Sequence, residues 1–129
     1  AVLSNSEEEG KSAIENLIRI REQADEAREY LSSGNFSNLG HLLNEAWLMK
    51  KGISPNVSNH FLDEMYSRIM SNGANGAKLL GAGGGGFFLV HGDSEIREKL
   101  QSEFSSEHRF FPLNIDYKGS SIIFNDSRV

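Results

Sequence analysis

The 129-residue sequence contains no cysteine. This absence excludes disulfide frameworks, thiolate zinc sites, iron–sulfur clusters and a cysteine nucleophile. Long apolar runs are missing as well, since even the longest, such as 87–90, are far shorter than the roughly 20 residues of a membrane-spanning helix. The acidic run 7–9 stands where a signal peptide would be basic. We therefore expect no membrane partner and a cytoplasmic location.

Basic residues are few and scattered. The sequence has 13 Lys and Arg against 18 Asp and Glu, and Lys50 and Lys51 form its one adjacent basic pair. Because binding to a phosphate backbone needs a clustered basic surface, we expect no nucleic-acid partner. We also expect no metal site, because none of the histidines has metal-ligand spacing; they are His41, His60, His91 and His108.

Helical periodicity dominates the first half of the sequence. Ser6 to Glu9 has the capping-box pattern, so we predict a helix that begins there and ends near Ser33, before Gly34. Apolar residues at helical spacing predict one apolar face along this helix. The charged residues between them predict that the opposite face is exposed to solvent. The apolar face consists of Ile14, Leu17, Ile18, Ala24, Ala27 and Leu31.

Two further helices are predicted between the first helix and Gly73. The first covers about residues 36–50, and the second follows a polar connection with Ser58 or Asn59 as its cap. Gly40, inside the helix 36–50, indicates a close helix contact. Trp47 lies on the apolar side of the same helix, so we interpret it as a core residue rather than a sugar-stacking platform.

The second half of the sequence has strand character, interrupted by one short helix that Asp93 or Ser94 caps. The predicted strands are 77–80, 87–90, 109–116 and 120–124, the last two forming a hairpin. This order predicts one α+β domain over residues 1–129, with helices packed on one face of a mostly antiparallel, four-stranded, ferredoxin-like sheet.

Glycine occupies five of the six positions from Gly81 to Gly86. The run is not a Walker A loop, because Phe87 follows it instead of lysine, and not a dinucleotide fingerprint, because a strand follows it instead of a helix. The lysine and aspartate motifs of protein kinases are absent too. Two interpretations remain: a wide turn without a ligand, or a loop that a ligand or neighbouring segment approaches closely.

The segment 76–87 closely resembles the third conserved motif of the GHMP kinases, the superfamily of galactokinase, homoserine kinase and mevalonate kinase. The upstream segments 42–47 and 62–66 are similar to the heptose 7-phosphate kinase group. The resemblance implies the C-terminal half of an ATP-dependent sugar or sugar-phosphate kinase. In such a kinase the N-terminal half, which we do not find in this sequence, holds ATP and Mg²⁺.

The same resemblance implies that the glycine run supports the acceptor site, and it implies no catalytic residue. The supporting residues would be Lys78, Gly81, Ala82, Gly83, Gly84, Gly85 and Gly86. Lys78 is equally well interpreted as a solvated strand lysine. Lys50 and Lys51 are candidates for contact with a sugar phosphate, and the alternative is a cation pair at a helix C-terminus.

Two functional hypotheses follow. In the first, the chain is the substrate-side part of a kinase, inactive alone and without tight ATP binding, and its partners are the N-terminal half and a sugar phosphate. In the second, it is a stand-alone, non-catalytic binding or regulatory module that forms a homodimer through the surface that an N-terminal half would cover. An exposed apolar or glycine-rich face favours the first hypothesis, and a polar face favours the second.

Overall fold

The computed structural model describes residues 2–81, 84–111 and 113. The α+β class is confirmed for this part of the chain. Its elements, in order, are α1 (Val2–Ser33), α2 (Phe36–Ile53), α3 (His60–Ser71), β1 (Gly76–Leu80), β2 (Phe87–His91) and α4 (Ser94–Phe104). Within the described residues, none of the helices combines the length and the hydropathy that crossing a membrane requires.

Local sequence signals set most helix boundaries. The side chain of Asn59 accepts a hydrogen bond from the backbone N–H of Leu62, and that of Asp93 accepts one from Ile96, both at 2.9 Å. These two N-caps confirm the predicted starts of α3 and α4. The predicted start of α1 at Ser6 is wrong, because the helix already includes Val2.

Strands β1 and β2 form an antiparallel hairpin whose register runs from Gly76 opposite His91 to Leu80 opposite Phe87. The predicted four-stranded sheet is wrong for the described residues, which contain these two strands only. Residues 109–111 belong to no strand, so they cannot extend the sheet as expected. The remainder of the predicted third strand, apart from Leu113, and all of the fourth lie outside the described residues.

Helix α2 lies alongside β1 and runs in the same direction. Gly40 approaches the start of the strand, Trp47 packs with Leu79 near its end, and Lys50 reaches Gly81 just beyond it. Ten helical residues advance about 15 Å, and five strand residues advance about 17 Å. The two elements therefore stay in contact along the whole strand.

The hydrophobic core lies on the face of the hairpin that α3 and α4 cover. Alternation places Ala77 and Leu79 of β1 on the same face as Phe88 and Val90 of β2. Trp47 is completely buried, with its ring edge-on to Phe88, which confirms its interpretation as a core residue. Residues of α3 and α4 complete the core: Leu62, Met65, Tyr66, Ile69, Leu100 and Phe104.

Helix α1 packs on α2 through its polar side. Arg19 donates two hydrogen bonds of 2.7 Å to the carboxylate of Glu45 and also pairs with Glu26. Gln23, 7% exposed, contacts Met49. The apolar face is exposed instead, with 65% of Leu17 accessible. We expected the charged face of α1 to be exposed to solvent. This expectation is wrong, because the polar side of α1 is the one that contacts the domain.

The contact between Gly40 and Gly76 also corrects an expectation, because Gly40 approaches a strand and not another helix. A Cβ at Gly76 would overlap the carbonyl oxygen of Gly40. A Cβ at Gly40 would lie 2.7 Å from Cβ of Asn75 and 2.8 Å from Nδ1 of His91. Such distances force a shift of backbone, so α2 and β1 can meet only where both residues are glycine.

We predict that Gly76→Ala lowers the free energy of unfolding by about 2 kcal/mol or more, because the added methyl group forces α2 away from β1. Urea denaturation followed by circular dichroism measures the loss. Gly52→Ala is the matched control, since a Cβ there meets nothing within 4 Å and alanine favours the helix. Equal stability of the two variants would contradict this account of the contact.

Candidate functional site

The glycine loop, residues 81–86, connects the last residue pair of the hairpin, Leu80 opposite Phe87. Three of its residues have left-handed backbone angles, with φ of +123° at Gly81, +73° at Gly84 and +138° at Gly86. Residues with a Cβ rarely adopt such angles, so these three glycines are required by the path of the chain.

The described glycines of the loop differ in the space that a Cβ would have. A Cβ at Gly86 would overlap the carbonyl oxygen of Leu80, and one at Gly81 would lie 3.3 Å from that of Gly85. Nothing lies within 4 Å of a Cβ at Gly84 or Gly85. Gly85 therefore has neither a positive φ nor a described neighbour within 4 Å of a Cβ.

Two contacts hold the loop against α2 and the connection that follows it. The ammonium group of Lys50 donates to the carbonyl oxygen of Gly81, and the N–H of Gly84 donates to the carbonyl oxygen of Val57, each at 3.4 Å. Lys50 reaches this position because α2 runs parallel to β1 and its last turn arrives where the strand ends. The loop thus has a cation at its first residue.

The three candidate lysines occupy different environments. Lys50 contacts the loop directly, as described. Lys51 instead forms an ion pair of 2.6 Å with Asp63 of α3, so its charge is balanced by a carboxylate of the domain. Lys78 is half-buried in β1 opposite Leu89, on the face of the hairpin away from the core. The structure brings only Lys50 of these three into contact with a described loop residue, and Ala82 and Gly83 lie outside the described residues.

Asp63 is the carboxylate of this region with a perturbed ionisation. The Lys51 ammonium and then the Ser58 hydroxyl, 2.8 Å away, hold the pKa of Asp63 below its ordinary range. Both contacts favour the charged carboxylate. Through these contacts Asp63 joins the end of α2 to the start of α3. It therefore supports the connecting segment that contains Val57.

Backbone N–H groups in successive turn conformations, next to a lysine, form a concavity suited to an anion. In the described part of the loop, the N–H of Gly84 already donates to Val57, and Lys50 donates to the carbonyl oxygen of Gly81. In the described part of the chain, no three acidic or histidine side chains converge as a metal site would require. We derive no step through a metal ion from these residues.

Residues 27–108 match the family model described as "GHMP kinases C terminal". The match covers more than half of the chain, so the chain belongs to the GHMP kinase C-terminal family. Helices beside a small antiparallel sheet with the glycine loop are consistent with that membership.

Two curated relatives are sugar kinases by name. The chain is 35% identical over 100 residues to D-glycero-alpha-D-manno-heptose 7-phosphate kinase of Campylobacter jejuni, an alignment that covers 78% of the chain and 30% of that protein. It is 30% identical over 102 residues to the bifunctional fucokinase/GDP-fucose pyrophosphorylase of Arabidopsis thaliana, covering 79% of the chain and 10% of that protein. The chain thus spans less than a third of either relative.

Sequence reasoning missed the role of the connection after α2. It treated residues 53–59 as a polar link with a cap, whereas Val57 anchors Gly84 and Ser58 binds Asp63. No periodicity marks such a contact.

We predict that Gly86→Ala disorders the glycine loop, because it combines a strained φ with overlap of the Leu80 carbonyl. Gly85→Ala should leave the loop intact, since its Cβ meets open space. Amide chemical shifts of residues 80–87 measure both effects. Large shifts for Gly85→Ala, or none for Gly86→Ala, would contradict the steric difference between these two positions.

We predict that Asp63 contributes acid sensitivity. The pKa of Asp63 is lower in the folded state than in the unfolded state. Its contribution to stability is therefore complete above the pKa of the unfolded state. The contribution is lost below about pH 4, as the pH falls through the pKa of the folded state. Asp63→Asn should flatten this limb of a plot of urea midpoint against pH. Glu98→Gln, an exposed carboxylate of α4, is the control and should keep it; an unchanged limb in Asp63→Asn would refute the assignment.

Proposed function

We propose that the chain is the substrate-side, C-terminal part of an ATP-dependent sugar-phosphate kinase, with a heptose 7-phosphate as acceptor. The observation that carries the proposal is the glycine loop, open at Gly85 and bounded by the Lys50 ammonium. Family membership and the names of both relatives support a sugar kinase. The heptose assignment rests on the Campylobacter relative and on the similarity of segments 42–47 and 62–66.

The loop residues of this chain would bind and orient one anionic group, and the reaction would be phosphoryl transfer. A sugar hydroxyl oxygen, in the heptose case the anomeric one, bonds to the γ-phosphorus of ATP while the bond to the bridging oxygen breaks and ADP leaves. The hydroxyl proton is lost to a base or to solvent. Such a reaction depends mainly on positioning and charge stabilisation. ATP and Mg²⁺ would be held by the N-terminal half, so the chain alone would be inactive.

An exposed apolar patch beside the loop favours this proposal over the stand-alone module. Leu80 and Phe87, the pair that closes the hairpin, are 42% and 65% exposed, and the ring of Phe111 packs edge-on to Phe87. A patch of this kind next to a glycine loop is suited to contact with another protein segment. We assign that role to the N-terminal half of the kinase. The cytoplasmic location expected from the composition is part of the same proposal.

We predict that isothermal titration of the chain shows weak binding of heptose 7-phosphate and none of Mg-ATP. Lys50→Met should abolish the sugar-phosphate signal, because it removes the cation at the loop. Lys99→Met, which removes an exposed cation of α4, should leave it unchanged. Micromolar binding of ATP, or sugar-phosphate binding that survives Lys50→Met, would overturn the proposed division of labour.

A further inference from the structure

Within the described residues, one backbone hydrogen bond ties Gly84 of the glycine loop to the rest of the domain. The N–H of Gly84 donates to the carbonyl oxygen of Val57 at 3.4 Å. A Cβ at Gly84 would meet nothing within 4 Å, so packing on that side does not hold the residue. The position of Gly84 therefore depends on where the Val57 carbonyl points.

The carbonyl of Val57 is held from both sides. It belongs to the planar peptide unit between Val57 and Ser58, so the anchoring of these two residues sets its direction. The N–H of Val57 donates to the carbonyl oxygen of Ser54 at 3.4 Å. The hydroxyl of Ser58 donates to Oδ1 of Asp63 at 2.8 Å. On the Ser58 side, the carboxylate of Asp63 therefore fixes this peptide unit.

The carboxylate of Asp63 is in turn held by the last turn of α2. Nζ of Lys51 lies 2.6 Å from Oδ1 of Asp63. Successive residues of a helix point about 100° apart, so Lys50 and Lys51 leave α2 in different directions. Lys50 holds Gly81 directly, and Lys51 holds, through Asp63, the segment that contacts Gly84.

We propose that Asp63 is a positioning residue for the glycine loop. Its carboxylate fixes Ser58, and Ser58 fixes the carbonyl that holds the N–H of Gly84. A carboxylate suits this role, because hydrogen bonds to a charged acceptor are shorter and stronger than those between neutral groups. The contacts with Lys51 and Ser58 favour that charged form. The consequence for ligand binding rests on the proposed function of the loop, whereas the placement of Gly84 does not.

A purely structural role of Asp63 predicts a different result. If the carboxylate only joined α2 to α3, its loss would lower the stability of the domain and leave Gly84 in place. A positioning role predicts a local change at Gly84 under conditions where the domain is fully folded. The amide signal of Gly84 separates the two roles, because it reports on the hydrogen bond of that N–H and not on global stability.

Nuclear magnetic resonance of the purified, folded chain tests the proposal. Asp63→Asn keeps the shape of the side chain and removes its charge. We expect it to shift the Gly84 amide signal and to speed the exchange of that amide with water by about threefold or more. The carbonyl ¹³C signal of Gly81, which Lys50 holds, should stay unchanged. Glu64→Gln, at the neighbouring exposed carboxylate of α3, is the matched control and should leave Gly84 unchanged.

An unchanged Gly84 signal in Asp63→Asn overturns the proposal. A second experiment tests the route through Ser58, because Ser58→Ala removes the hydroxyl and should displace Gly84 as Asp63→Asn does. If both residues act through one route, the double variant displaces Gly84 no further than the single variants do. Additive displacements overturn that route. Ser67→Ala is the control, since the Ser67 hydroxyl donates to the backbone carbonyl of Asp63 and not to its carboxylate.

Titration with heptose 7-phosphate tests the consequence for binding. Affinity falls with the fraction of loops in the binding position, so Asp63→Asn should weaken binding by about threefold or more, in step with the faster exchange at Gly84. Unchanged affinity in a variant whose Gly84 has moved overturns the role in binding. If the wild-type chain binds no sugar phosphate, the proposed function fails, and the Gly84 signal alone decides whether Asp63 positions the loop.

Discussion

The contact between Gly40 and Gly76 is the constraint on which the rest of the structure depends. Because neither residue has a Cβ, the backbone of α2 meets the start of β1 directly. From that point the helix follows the strand, which buries Trp47 against Leu79 and brings Lys50 to the first residue of the glycine loop. Core formation and site geometry are therefore consequences of the same close approach.

The glycines of the loop have different physical reasons. Backbone angle and overlap explain Gly86, backbone angle and a tight contact explain Gly81, and backbone angle alone explains Gly84. Gly85 has no such reason within the described chain. Gly85 is therefore the position on which our proposal of ligand approach at the loop rests.

Signals that act within a few residues were readable in advance. The caps at Asn59 and Asp93, the two strands around the glycine loop and the core position of Trp47 all follow from short-range patterns, and the structure confirms them. Lys50 and Lys51 show the limit of such patterns. They are adjacent in sequence and alike in charge, yet one contacts the loop and the other pairs with Asp63, because their partners come from distant parts of the chain.

Helix α1 shows most clearly what each level of description decides. Its sequence establishes that a helix forms and that it has an apolar and a polar face, because both depend on the 3.6-residue period alone. Which face contacts the domain depends on what α2 presents, and Glu45 and Met49 select the side with Arg19 and Gln23. Only the tertiary structure could decide this, because the complementary groups lie 26 residues away in the chain.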